Sequence, residues 1–211
     1  MQIIEANGAK IPAVGLGTWQ LNGSVGSRIT EQALKLGYRH LDCALIYGNE
    51  REIGEGLHAS GVKREGYTRH IGISNFTVPL IEEAVKLSSE PIVTNQIEWH
   101  PYLDEEKVRA ACQKHGIAVT AYCPIARGRA VGDEVLTRIG KTYGKTAGQV
   151  SLRWLVQKGA IVIPRTSKVE RLTENMSIFD FALSPQDMAE IDTLAKPAGR
   201  VVSVGWAPKW D

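Results

Sequence analysis

Six short stretches of this sequence bring together side chains that could do chemistry. "YRHLDCA" (38–44) carries Asp42, with Tyr47 shortly after it, and a carboxylate near a phenol can serve as a general acid–base pair. "RHIGIS" (69–74) ends in Ser74 and Asn75 follows. "PIVTNQIEW" (91–99) carries Gln96, an amide that needs hydrogen-bond partners if its strand is buried. "IAVTAYC" (117–123) ends in Tyr122 and Cys123, before Pro124. "AIVIP" (160–164) leads into Arg165, Thr166 and Ser167, with Arg171 a helical turn later, and two guanidinium forks suit a phosphate. "VGLGTWQ" (14–20) supplies Gly17, Thr18 and Trp19.

Taken singly, each has a plainer explanation. Asp42 and the Ser74-Asn75 pair can cap helices. Tyr47 can be a half-exposed loop aromatic, and the arginines a solvated helix start. Metal chemistry finds no support, since the five histidines lack HExxH or HxxxH spacing. His100 has no serine or cysteine nucleophile near it in the sequence and reads as structural. Gly15-Leu16-Gly17 opens a GxG, but Gln20 stands where a dinucleotide fingerprint needs its third glycine.

The elements that must hold these residues recur as a unit: an amphipathic helix, a glycine stop and a short apolar strand. "EQALKLG" leads into "YRHLDCA", "VRAACQKHG" into "IAVTAYC", and "SLRWLVQKG" into "AIVIP". Gly37, Gly116 and Gly159 suit the left-handed position that ends a helix. Alternating strands and helices predict βαβ units and a parallel sheet of six strands, at 14–20, 38–44, 69–74, 91–99, 117–123 and 160–164. Helices are expected near 24–36, 49–60, 78–88, 104–115, 133–143, 146–158, 168–177 and 184–195, the last capped by Ser184 with Pro185 in its first turn. Asn7-Gly8 predicts an N-terminal β-hairpin, because both residues tolerate positive φ. The tail "KPAGRVVSVGWAPKWD" has no period and reads as loop.

At 211 residues a single domain spanning 1–211 is the expectation. A formal net charge of +2 points away from nucleic acid as a partner, and no apolar run is long enough to span a bilayer. The N-terminus has neither the basic start nor the apolar run of a signal peptide. Cys43, Cys112 and Cys123 lack CxxC spacing, so reduced thiols in the cytoplasm are expected.

Taken jointly, "GLGTWQ", "GYRHLDCALIYGNEREIGEGL", "RHIGISNF", "TNQIEWHPYL", "AYCPIARG" and "IPRTSKVERLTEN" resemble the aldo-keto reductases in order and context, over nearly the whole chain. The resemblance implies a TIM-type (β/α) barrel and hydride transfer between NADP(H) and an aldehyde, ketone or alcohol. By position, Tyr47 matches the family's proton donor and Asp42 its catalytic carboxylate. Gly17, Thr18 and Trp19 match the segment touching cofactor and substrate. Ser74, Asn75 and Gln96 match the residues that bind the nicotinamide carboxamide. Tyr122 matches the aromatic stacked on the nicotinamide ring, with Pro124 beside it in the cofactor-binding set. Arg165, Thr166, Ser167 and Arg171 match the grip on the adenosine 2′-phosphate, and Glu174 and Asn175 the adenine contacts.

One departure stands out. The family's lysine lies on the third barrel strand in a "TTK"-like stretch, and its histidine ends the fourth in an "LLxHWP"-like stretch; neither motif occurs here. After "EGLHASGV" the chain passes through "KREGYTRHIGISNF", which resembles the end of helix four entering strand five. Two βα units of roughly 30 residues each are therefore missing at a join near 63–67. The expectation is an incomplete barrel of about six strands, open between its second and third remaining strands unless those two pair directly. Open edges would invite self-association. Lys63, beside the join, could replace the lost ammonium only from a different strand position. Three functions are in play: an impaired NADPH-dependent carbonyl reductase, an NADP(H)-binding protein without turnover, and a barrel enzyme of another kind.

Overall fold

The computed structural model describes residues 2–44, 47–61, 70–203, 208 and 210. The chain opens with the hairpin expected at Asn7-Gly8. Strands β1 (Ile3–Ala6) and β2 (Ala9–Pro12) pair antiparallel, and Asn7 and Gly8 take φ of 45° and 83°. The remaining strands are parallel: β3 (Leu16–Gly17), β4 (Leu41–Asp42), β5 (Ile71–Ser74), β6 (Ile92–Glu98), β7 (Ala118–Tyr122) and β8 (Ile161–Val162).

Strands β5, β6, β7 and β8 form one sheet in that order, and β3 pairs with β4. A parallel bridge between Val14 and Val162 joins the two sheets, supported by the Gly15 N–H donating to Val162 O at 2.8 Å. The six strands thus form a single curved wall, β4-β3-β8-β7-β6-β5. Among the described residues no backbone pairing links β4 to β5, so the wall is a barrel left open at that seam. The join itself, and Lys63 with it, lies outside the described residues.

Helices cover the outer face: α1 (Gly23–Lys35), α2 (Glu50–Ala59), α3 (Val78–Leu87), α4 (Glu106–Lys114), α5 (Glu134–Tyr143), α6 (Ala147–Gln157), α7 (Val169–Met176) and α8 (Pro185–Asp192). Each lies within three residues of its expected bounds. Gly37, Gly116 and Gly159 carry φ of 99°, 67° and 83°, the left-handed geometry that stops a helix without a Cβ clash. The core between wall and helices includes Leu16, Ile29, Ile97, Ala121, Leu155 and Val162, all at most 1% exposed.

Two strands are shorter than expected. The segment 14–20 is strand only at Leu16–Gly17, because the Leu21 N–H turns back to Thr18 O at 3.0 Å and Gln20 takes φ of 58°. The segment 38–44 is strand only at Leu41–Asp42, where β3 is its one strand partner among the described residues. An unexpected 3-10 segment, Ala126–Gly132, follows β7 and carries Arg127 and Gly128 at positive φ.

Candidate active site

A cavity of about 770 Å³ opens at the C-terminal ends of the parallel strands. Of the residues singled out from the sequence, Gly17, Trp19, Asp42, Tyr47, Ser74, Asn75, Gln96, Tyr122, Pro124, Arg165 and Arg171 line it. Strand direction explains the convergence, since parallel strands deliver all their C-terminal loops to one rim.

Asp42 ends β4 at the open seam. Its main-chain carbonyl accepts the Thr18 hydroxyl at 2.6 Å, which ties β4 to the turn after β3. Across the cavity Gln96 on β6 donates its Nε2 to Asp42 Oδ1 at 2.7 Å. The Tyr47 hydroxyl lies farther off, donating to Asp42 Oδ2 at 3.5 Å, the outer limit of a hydrogen bond. The Tyr47 ring is held by Trp19, edge to face with centroids 5.0 Å apart. On β5 and β6, the Asn75 N–H donates to Gln96 O at 2.8 Å and the Ser74 hydroxyl to the same carbonyl at 3.2 Å. Tyr122 donates its phenol to Asn75 Oδ1 at 3.0 Å.

Arg165 partly serves the fold. Its Nε and Nη2 donate to the carbonyls of Trp19 and Gln20, both at 3.1 Å, pinning the turn after β3. Arg171, on the exposed side of α7, reaches the cavity from beyond. Thr18, Thr166, Ser167, Glu174 and Asn175 are not among the lining residues. Thr166 is buried, with its Oγ1 accepting the Lys168 N–H at 3.0 Å, and Glu174 accepts the Thr146 hydroxyl at 2.6 Å.

Burial governs the electrostatics. It pushes the Tyr47 phenol up to about 12, helped by the Asp42 charge and hydrogen bond and then by the Cys43 and Cys123 thiols. Asp42 is also raised by burial, against smaller opposing effects of the Gln96 hydrogen bond, the His40 imidazole and the Tyr47 hydroxyl. Among the described residues no lysine or arginine contributes to either shift. The site therefore departs from the expectation of a phenol near its free value: the phenol here is harder to ionise still.

Several lining residues were not singled out from the sequence. Gln20, Ala44, Arg127 and Gly128 come from loops next to the motifs. Val202, Pro208 and Trp210 come from the tail that reads as featureless loop. That tail is anchored by Glu98 at the end of β6, fully buried, whose two carboxylate oxygens accept the N–H groups of Val201 at 2.5 Å and Val202 at 3.1 Å. His100 stacks a second polar partner on it, with Nε2 3.0 Å from Glu98 Oε1, which makes this histidine structural. Arg200 bonds Glu105 and lies over the Trp210 ring at 3.7 Å. Among the described residues no group of three or more metal-ligating side chains occurs, and no helix is long and apolar enough to cross a membrane.

Comparison with known proteins agrees with this layout. The model of the Aldo/keto reductase family matches residues 13–67 and 60–196, two pieces that meet at the join read in the sequence. The chain is 34% identical to methylglyoxal reductase DkgB of Escherichia coli O157:H7, across 95% of this chain and 99% of that protein. Their alignment runs over 265 positions, more than the 211 residues present here, so the remainder of the relative falls opposite gaps. Glyoxal reductase of Bacillus subtilis (strain 168) is 32% identical across 90% of this chain and 91% of that one. A crystal structure of a candidate 2,5-diketo-D-gluconic acid reductase B superposes with a TM-score of 0.96 at 40% identity, covering 100% of this chain and 98% of the other. On the family match, the relatives and the shared fold, this chain belongs to the aldo/keto reductase family, whose members are oxidoreductases.

Proposed function

We propose that this chain uses NADPH to reduce small aldehydes or ketones to alcohols, at a turnover well below that of an intact family member. The observation that carries the proposal is the single cavity on which Asp42, Tyr47, Gln96, Tyr122, Arg165 and Arg171 meet. Its volume is in the range of a cofactor site. The methylglyoxal and glyoxal reductases among the relatives suggest α-oxoaldehydes as first substrates to try.

The residues fit a dinucleotide. Arg165 and Arg171, with Thr166 and Ser167 near them in sequence, would hold the 2′-phosphate; Arg165 still has Nη1 to offer after binding two carbonyls. Tyr122, half-buried at the cavity wall, offers a ring face for the nicotinamide, with Pro124 beside it. Ser74, Asn75 and Gln96 cluster where its carboxamide would bind, and Gly17 and Trp19 close the site from β3, with Thr18 buried between them. Glu174 and Asn175 on α7 would face the adenine. A reduced nicotinamide bound there would supply the hydride for the carbonyl carbon. What the chain supplies is the proton, and here the site is weak: acid–base help contributes typically about 10²–10⁴-fold, and the Tyr47 phenol is shifted away from donating at neutral pH.

That same weakness supports a second reading, an NADP(H)-binding protein without turnover, since most of the cofactor contacts lie after the join. The two readings separate in one experiment. NADPH is titrated while tryptophan fluorescence is followed, because Trp19 and Trp210 both line the cavity; NADPH consumption is then measured with methylglyoxal. Quenching with slow consumption supports the reductase, quenching without consumption supports the binding protein, and no quenching removes both. We further propose a cytoplasmic protein, its three cysteines being odd in number and without CxxC spacing, and self-association through the outer edges of β4 and β5. Ile71, at 42% exposure on β5, is an exposed apolar side chain at that edge. Sedimentation across a concentration series that finds only monomer would exclude the association.

A further inference from the structure

We infer that Arg127 is a specificity-determining residue that takes the carboxylate of short oxo acids, that is, of carbonyl substrates whose chain ends in a carboxyl group. The inference rests on the proposed reductase reading and names the substrate class of the same cavity.

The charges on the cavity wall come first. Its described lining holds three guanidiniums, on Arg127, Arg165 and Arg171, against one carboxylate, on Asp42. Asp42 accepts from Gln96 and Tyr47. Arg165 turns Nε and Nη2 to two main-chain carbonyls, and Arg171 on α7 is the residue proposed for a cofactor phosphate. Arg127 has no such task. Its side chain donates to the Cys123 thiol, a weak acceptor that burial keeps in its neutral form. A carboxylate can accept two parallel N–H bonds from the same fork and displaces a thiol readily.

The backbone holds that fork in place. The wholly buried Ser151 hydroxyl on α6 donates to Pro124 O at 2.7 Å and ties the segment after β7 to the helix behind it. The Ala126 N–H then returns to Cys123 O at 2.8 Å, and the Gly128 N–H to Ile125 O at 2.9 Å. Through these turns Cys123, Ala126 and Arg127 take φ of 48°, 48° and 53°, a left-handed geometry that residues with a Cβ rarely adopt. Such conformations persist where the surroundings over-determine them, and they concentrate at ligand clamps.

The same thiol sets the reach. Cys123 is near enough to Tyr47 to act on its phenol, so the guanidinium and the reacting end of the cavity are neighbours of one sulfur. A short substrate can set its carboxylate on Arg127 while its carbonyl oxygen faces Tyr47. The Asp42 carboxylate disfavours the reverse orientation by like-charge repulsion, so charge alone selects the productive one.

Two measurements on the full chain test this. Steady-state reduction by NADPH is compared for succinic semialdehyde and its methyl ester, which carry the same aldehyde with and without the charge. The native protein is expected to favour the acid in kcat/KM. Arg127→Ala should lower kcat/KM for the acid at least about tenfold more than for the ester, through KM rather than kcat. Arg127→Lys should recover part of that loss, since an ammonium keeps the charge without the fork. Turnover with no preference for the acid, or with equal losses on both substrates, overturns the inference. So does an NADPH affinity, read by tryptophan fluorescence, that falls as far as the KM for the acid rises, because Arg127 then serves the cofactor.

The second measurement needs no turnover. The alcohol of the same acid, γ-hydroxybutyrate, is titrated calorimetrically into the native protein and Arg127→Ala in the presence of NADP+. Binding at least about tenfold weaker in the variant is expected; equal binding, or none to either, overturns the inference. Binding that depends on Arg127 in a chain that consumes no NADPH supports the site and overturns the reductase reading alone, so the two failures are told apart.

Discussion

Glu98 and Val202 are 104 residues apart in the sequence, yet the Val202 N–H donates to the Glu98 carboxylate at 3.1 Å. This bond, with its neighbour from Val201, fixes where the tail crosses the cavity and so where Val202, Pro208 and Trp210 contribute to its wall. A wholly buried carboxylate that accepts two main-chain N–H groups has few substitutes.

Replacing Glu98 by Gln keeps the shape and removes the charge. Hydrogen bonds to a charged group are worth about 1.5–3 kcal/mol each, so a loss of about 2 kcal/mol in urea unfolding is expected. Release of the tail should also speed proteolysis after Arg200 and shift the tryptophan emission. Unchanged proteolysis would show that something other than Glu98 holds the segment.

Helices α1 and α2 touch through glycine. A Cβ on Gly56 would come within 2.4 Å of Ser27 O and 2.6 Å of the Thr30 Cβ. Gly56→Ala must therefore push the helices apart, and about 1–3 kcal/mol of stability should go with it, read from chemical denaturation. Gly54→Ala on the same helix, where a Cβ meets nothing within 4 Å, is the control and should be neutral or slightly stabilising.

What the sequence makes legible follows local physics. Asn7-Gly8 specifies a tight turn whatever surrounds it, and the hairpin is there. Ser184, Pro185 and Asp187 specify a helix start, and the Ser184 side chain accepts the Asp187 N–H at 3.1 Å in a full capping box. The motif residues of six strand ends fall on one cavity because parallel strands point the same way. Strand lengths were less legible, because pairing partners set them and the partner of β4 at the seam is gone. The amide of Gln96 is a further case: its type signals a need for hydrogen bonds, but that one of them goes to Asp42 is a tertiary fact. The place of Trp210 depends on Glu98 and Arg200, so no local pattern could announce it.

Stability should depend on pH through Asp42. Burial raises its folded pKa above the unfolded value of about 3.9. Its contribution is therefore complete below the unfolded value and is lost as pH rises through the folded one. As pH rises above that unfolded value the native protein is expected to lose more unfolding free energy than Asp42→Asn does. Parallel curves would mean that Asp42 is not the group responsible.

Cofactor choice should depend on Arg171. Removing a guanidinium that faces a phosphate costs about 1.5–3 kcal/mol, so Arg171→Ala should weaken NADPH binding by roughly 10- to 150-fold. NADH, which lacks the 2′-phosphate, should be affected little. Fluorescence titration with both nucleotides gives the ratio; equal weakening would place Arg171 elsewhere on the dinucleotide.

The N-terminal hairpin takes on added meaning in a barrel that has lost part of its wall. Asn7 donates to Ile92 O at 2.7 Å and to His115 O at 3.1 Å, joining the start of β6 to the approach to β7, while Ala6 packs with Ala118 and Ile161. The floor is thus riveted to β7, β8 and the start of β6 and not to the strands that border the breach, and damage at the rim need not travel down the staves. A vessel held by its base can lack two staves and keep its shape.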